Sequence, residues 1–475
     1  MLRHGARMLE AALGELEAAQ GRVEAARGKC EEDRLECLLY VGTCLAMCGY
    51  GAQAGALAAT ARAFRADDQL WAAQARHRGP RGRTALMHAA RRGDGARALF
   101  LLAHGADVQA EWAGGTALLL ACAAGHFETA RLLVEHGGAS ANAARAADGM
   151  TALLWACAGG DLEFARLLVE RGFANVHAVA KSDGRTAMMF ASEGGHADIV
   201  RLLAKSGCTN VNAARSTDGK TALMWASERG HVETVRFLVE QGGANASAAR
   251  ATDGKTALMG ACQKSSLEIV RLLVERGGAN VNAAKSTGIT ALMRACESDQ
   301  PEIIRFLVER GGANVNACSS GGKTTLMFAC ADCQLGTVSF LVQRGANVHA
   351  ARTSDGQTAL MSACKKGRLE IARFLVAHGG ANVNAAMNCA TTALMWACQE
   401  GYADIARCLL EHGANVNAAR ALSGRTPLMF AASHGHAACV RVLLQYGAHR
   451  HLVTHSGHTA RHLAASFPLA LAEFP

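Results

Sequence analysis

From about residue 80 to residue 467 the apolar positions follow two rhythms at once. Short runs carry the spacing of an amphipathic helix, and the runs themselves return at a long, nearly fixed interval. The threonine that opens most Thr-Ala-Leu triplets is a ruler for that interval. It stands at Thr84, Thr116, Thr151, Thr186, Thr221, Thr256, Thr290, Thr324, Thr358, Thr392, Thr426 and Thr459, in steps of 32 to 35 residues. Repetition at such a period predicts a stacked solenoid, because one unit alone cannot bury its apolar face. The stretch DGKTALMWASERGH, residues 218–231, shows how one unit is punctuated. Asp218-Gly219 is a tight-turn pair, Thr221 is an N-cap, and Gly230 stops a first short helix. A second helix follows, with Val232, Val235, Leu238 and Val239 on one face. Gly242 and Gly243 end it, and ANASAAR runs out as an extended finger to the turn at Asp253-Gly254. In the unit of Thr426, Pro427 takes the first helical position, which suits proline. The pattern predicts an all-α chain of paired helices with short fingers and no real sheet.

The fixed and variable letters divide by helical phase. At roughly 100° per residue, positions +1, +2, +3, +5 and +6 after the threonine fall on one arc and hardly vary. Positions +4, +7 and +8 lie opposite and change from unit to unit. Position +4 reads His88, Leu120, Trp155, Phe190, Trp225, Gly260, Arg294, Phe328, Ser362, Trp396, Phe430 and Leu463. Three of the five tryptophans of the chain occupy this slot. Aromatic residues concentrate at binding hot spots, so the slot is a candidate partner surface. The alternative is that its rings only pack on the neighbouring unit. Trp155, Phe190 and Trp225 belong to consecutive units and would form a continuous ladder. Phe328, Trp396 and Phe430 would form a looser set, separated from the first by Gly260 and Arg294.

The pattern DG-x-T-A-L-M-x-A-x-x-x-GH-x-x-x-V-x-x-L-x-x-x-GANVN resembles the ankyrin repeat. The resemblance covers residues 80–467, more than three quarters of the chain. It implies an ankyrin-repeat solenoid whose +4 slots line a concave groove that binds a protein or peptide. The family usually writes T-P-L-H, and its histidine ties finger to helix by hydrogen bonds. Here only Thr426-Pro427 keeps the proline and only His462 keeps the histidine. Met87, Met189, Met224, Met259, Met293, Met327, Met361, Met395 and Met429 replace the histidine, and are expected to give soft packing in place of those bonds.

Ahead of the array, residues 1–42 read as one amphipathic helix. Leu2, Leu9, Leu16, Val23, Cys30 and Cys37 share a phase, but Gln20, Arg27 and Arg34 spoil the second seam that a coiled coil needs. Residues 43–79 read as a helical cap or as a degenerate F-box-like module. The run Leu57, Ala61-Arg62-Ala63-Phe64-Arg65, Asp67, Asp68 and Leu70-Trp71 resembles the second half of an F-box. That resemblance implies docking of the Skp adaptor of a cullin-type ubiquitin ligase through Leu70 and Trp71, with the repeats choosing a substrate. The first half departs from the pattern: there is no Leu-Pro opening, and Gly42, Gly49 and Gly51 interrupt it. Residues 468–475 form a tail.

Composition and charge narrow the picture. Net charge is +9, with half the residues apolar and only five prolines, so most of the chain should fold. The basic residues gather at the finger, at Arg145, Lys181, Arg215, Arg250, Lys285, Arg352 and Arg420. A second series stands just before the threonine, at Arg83, Arg185, Lys220, Lys255, Lys323 and Arg425. They read either as a solvated edge or as an electropositive rim for an acidic partner. Nucleic acid is not expected, since no nucleic-acid-binding motif accompanies them. The 17 cysteines form no paired Cys-x-x-Cys set, so no metal is expected. Cys122, Cys157, Cys262, Cys296, Cys330, Cys364 and Cys398 share one repeat phase with Ala90, Ser192, Ser227 and Ala432, so the slot selects a small side chain. They are expected to be reduced and buried in a cytoplasmic or nuclear protein. No leader peptide or membrane span is expected. Phosphate-loop, nucleophile-elbow and zinc-protease motifs are missing. No catalytic residue and no cofactor are therefore expected.

Overall fold

A computed structural model describes residues 83–207 and 210–474. The amphipathic helix at 1–42 and the cap or F-box-like segment with Leu70 and Trp71 lie outside the described residues. The chain divides into two compact units, residues 1–187 with 205–207, and residues 188–204 with 208–475. The described part of the first holds helix pairs that begin after Thr84, Thr116 and Thr151. The second holds the pairs of the remaining nine threonines. Within each unit, most first helices pack on the first helix of the next repeat, and most second helices pack on second helices. Among the described residues no strand forms. The fingers close through single antiparallel bridges such as Ala214 with Thr221 and Ala249 with Thr256. The described residues form all-α arrays of stacked helix pairs.

In most repeats the ruler threonine has two local duties. Its backbone closes the finger, and its side chain caps the first helix. Thr221 Oγ1 accepts from the Met224 amide at 3.4 Å, and Thr84 Oγ1 from the Met87 amide at 3.2 Å. Gly230 then ends the helix Ala222–Arg229 with φ 86°, a left-handed conformation that glycine adopts without steric cost. The predicted arc is the buried one: Ala222, Leu223, Met224, Ala226 and Ser227 are all buried. Methionine does more than pack in one unit. Met327 Sδ accepts from the Thr324 amide at 3.4 Å, as His462 Nδ1 accepts from the Thr459 amide at 3.3 Å. A thioether is a weak acceptor, but here it completes the same reciprocal cap.

Two kinds of polar stitch join successive repeats. Asn212 Nδ2 donates to the Gly243 carbonyl at 3.1 Å while its Oδ1 accepts from the Asn245 amide at 2.6 Å. Asn282, Asn316 and Asn384 clasp the next repeat in the same way, and Asn142 does so with Phe173 and Asn175. Ser247 occupies the equivalent position, and its hydroxyl makes both bonds. The second stitch runs backwards from position +10. His231 and His436 reach the Glu193 and Gln399 carbonyls at 2.9 and 3.0 Å. Gln300 reaches the Cys262 carbonyl at 2.6 Å. These groups satisfy helix-end carbonyls that would otherwise lack donors.

The seven in-phase cysteines are buried, and they are free thiols. Two of them have a thiol neighbour from the next repeat, which the phase argument did not anticipate. Cys333 Sγ donates to the Cys296 carbonyl at 3.1 Å and lies against its thiol. Cys439 lies against Cys398. Among the described residues, no helix is long and apolar enough to cross a membrane, and no three His, Cys, Asp or Glu side chains gather as metal ligands.

Candidate functional site: the first-helix face

The +4 slot is open at some repeats and closed at others: His88 is exposed there. Phe190, Phe328 and Phe430 are 8%, 5% and 3% exposed, so they offer a partner almost no surface. Trp155, Trp225 and Trp396 are half-buried. The wheel treats a helix alone, whereas here the neighbouring first helix and a cation cover the ring. Lys323 Nζ sits 3.6 Å from the centre of the Phe328 ring, and Lys220 Nζ sits 3.1 Å from that of Trp225. Lys365 lies 4.3 Å over Trp396, and the Arg145 guanidinium lies 5.1 Å over Trp155. Such contacts stabilise by roughly 0.5–2 kcal/mol depending on desolvation. They also remove a ring face from any partner.

Much of the basic finger charge is neutralised by carboxylates of the same finger. Arg215 grips Asp218 through two bonds of 2.9 and 2.6 Å, and Arg250 grips Asp253 at 2.8 and 2.7 Å. Arg145 with Asp148, Arg352 with Asp355 and Arg185 with Asp183 are paired too. Lys285 adds a third bond to Asp253 at 3.0 Å. The Arg215 fork holds the Asp218 carboxyl below its ordinary range, against the opposing pull of burial. Such planar, two-point pairing is what a guanidinium does best.

One place keeps an excess of positive charge. Gly260 carries no +4 side chain, the Glu228 stem leans into that position, and a cleft of about 460 Å³ opens between Trp225 and the next first helix. Lys220, Lys255, Lys264 and Arg229 border it, with Glu228 as the carboxylate on its wall. Glu228 binds Lys220 at 2.6 Å and Lys255 at 2.8 Å. Burial raises the Glu228 carboxyl, but the two ammonium groups outweigh it and hold it below the usual range. Burial pulls the Lys220 ammonium below the usual lysine range despite its bond to Glu228. Arg229 is paired outside the cleft, with Glu193 at 2.6 Å. The structure thus joins Lys220, Trp225, Lys255 and Gly260 in one place. The signal for the covered rings was in the sequence: a cation at −1 precedes an aromatic at +4 in Lys220/Trp225, Lys323/Phe328 and Arg425/Phe430.

A repeated pair of short helices joined by one-bridge fingers defines a helical interaction array. The family description "Ankyrin repeats (3 copies)" matches residues 56–145, 137–215, 206–285, 278–352 and 348–420, and "Ankyrin repeats (many copies)" matches 409–464. The chain belongs to the ankyrin-repeat family. The match begins at residue 56, inside the segment that carries the F-box-like run. Ankyrin repeats are protein–protein interaction modules, and proteins built from them are generally non-enzymatic scaffolds. No curated protein matches the chain.

Proposed function

We propose that this chain is a non-enzymatic scaffold that holds a protein or peptide on the face made by its first helices and fingers. The partner carries acidic side chains beside apolar anchors. The observation that supports this reading best is the pairing of a half-buried Trp225 edge with a cluster of lysines that outnumbers its carboxylate. Charge would speed encounter, and the aromatic edges would supply affinity. Trp396 is a further anchor on the first-helix face of the same unit, and Trp155 is an anchor on the first-helix face of the other unit. The reduced, buried thiols suit a cytoplasmic or nuclear setting.

The test is affinity capture by the full chain, with mass spectrometry of the bound proteins, run beside Trp225→Ala and Trp396→Ala variants of unchanged circular dichroism. A specific partner lost from one or both variants supports the proposal. A partner that binds both variants as it binds the parent chain would place binding elsewhere. If truncation costs about 2 kcal/mol of binding, the ring is a hot spot.

A further inference from the structure

We infer that the cleft over Gly260 seats a carboxylate side chain, a glutamate or aspartate in an extended segment of the partner, with an adjacent apolar residue against the edge of Trp225. The inference rests on the scaffold reading above and adds where the acid goes. Gly260 is the glycine of the +4 series. A Cβ built there would come within 2.7 Å of Glu228 Cγ, so the Glu228 stem leans into the space a side chain would fill. Glu228 already serves two ammonium groups. Three lysines therefore face a single carboxylate, an excess of two positive charges once Arg229 is counted with Glu193. Lys264 is exposed at the rim, its stem lying over Gly230, and Lys255 also donates to Gln263 at 3.0 Å. A second carboxylate entering between Lys255 and Lys264 would balance the cluster. The volume falls in the range of roughly 300–1,000 Å³ typical of ligand clefts, enough for more than one side chain.

The donor set favours carboxylate over phosphate. Phosphate sites draw on forked guanidinium groups and on backbone amides at helix starts. The guanidinium here is engaged with Glu193, and the remaining cations are point-charge ammonium groups. Binding should weaken with salt, because the rim lysine is solvated.

The experiment pans a displayed random-peptide library on the full chain and measures the winning peptide by fluorescence polarisation. The peptides should carry Glu or Asp next to an apolar residue. Replacing that acid by its amide, or making Lys264→Glu or Gly260→Leu in the chain, should each weaken binding about tenfold. Lys264 is exposed, so its variant tests the charge even if filling the cleft disturbs folding. Peptides without acids, or acidic peptides indifferent to both variants, would overturn the seat. If those peptides instead lose affinity with Trp396→Ala, the scaffold reading stands and the seat does not. A library that returns nothing above the tag control, together with an empty protein capture, defeats both. Stronger competition by inorganic phosphate than by polyglutamate would give the cleft to a phosphate ligand and refute the carboxylate assignment.

Discussion

The imidazole Nε2 of His231 donates to the backbone carbonyl of Glu193, one repeat upstream, at 2.9 Å. A carbonyl can only accept, so this bond fixes the donor on Nε2. It also gives the Gly-His pair a purpose beyond opening a helix. His231→Ala should destabilise the array by about 1 kcal/mol, the usual worth of such a bond. His231→Gln should recover part of that, since Gln300 performs the same reach to Cys262. Urea midpoints of the three chains check this. Equal midpoints for parent and alanine variant would show that the contact carries no stability.

Acid should weaken the fingers. Arginines hold Asp148, Asp218, Asp253 and Asp355 below the ordinary aspartate value of 3.8. The unfolded chain then binds more protons than the folded one between the two values, so stability falls as pH falls. Their contribution is complete above 3.8 and is lost as pH drops through the lowered folded values. Each partly exposed pair should be worth about 0.5–1 kcal/mol at neutral pH. Changing Arg145, Arg215, Arg250 and Arg352 to glutamine should lower neutral stability and flatten its decline from about pH 5 to about pH 2. Parallel stability–pH curves for the two chains would contradict this.

Thiol reactivity should follow burial. Burial pushes the Cys262 thiol up to about 12, and it raises Cys122, Cys330 and Cys364 as well. Burial also works on Cys389, but the Thr391 hydroxyl at 3.0 Å and Arg420 outweigh it and hold that thiol below 9.0. Brief iodoacetamide treatment of the native chain should mark Cys389 and the exposed Cys318 long before the seven in-phase cysteines, because the thiolate is the nucleophile. Peptide mapping that finds Cys262 modified as fast as Cys389 would mean that the core opens readily.

The last repeat should be the least protected. Its helices, Ala460–Leu463 and Pro468–Leu471, have four residues each. Arg461 stands exposed where other repeats carry the core leucine, and Leu469 is 78% exposed. Phe474 is buried and Glu473 binds Arg441 at 2.6 Å, so the end is pinned at few points. Hydrogen exchange should be faster over 455–475 than over 220–240. Equal protection in the two stretches would rule out a frayed end.

The fold is largely legible in the sequence. A threonine that caps a helix must stand one residue before it, so Thr84 through Thr459 mark every helix pair, and the five constant positions after each are the buried ones in most repeats, the last excepted, where Arg461 and His462 are exposed. The surface was read less well, for a physical reason. A helical wheel knows one helix, and the fate of Phe328 or Phe430 depends on the neighbouring helix and on a cation five residues earlier. Arg215 and Arg250 give the finger a basic look in the sequence, yet each is gripped by a carboxylate of its own finger. Asp218 and Asp253, three residues further on, were read only as turn formers. Asn212 clasps Gly243 and Asn245, a contact that exists only once the next repeat is in place.

That clasp has a consequence for how such a chain can change. Asn212 reaches one repeat forward and His231 one repeat back, so neither bond measures anything further away. Excising one whole period would present each stitch with an equivalent backbone, whereas removing a few residues inside a period would leave donors and carbonyls out of step. Through recombination the chain is free to gain or shed repeats, while each repeat stays within the 32 to 35 residues that its stitches span.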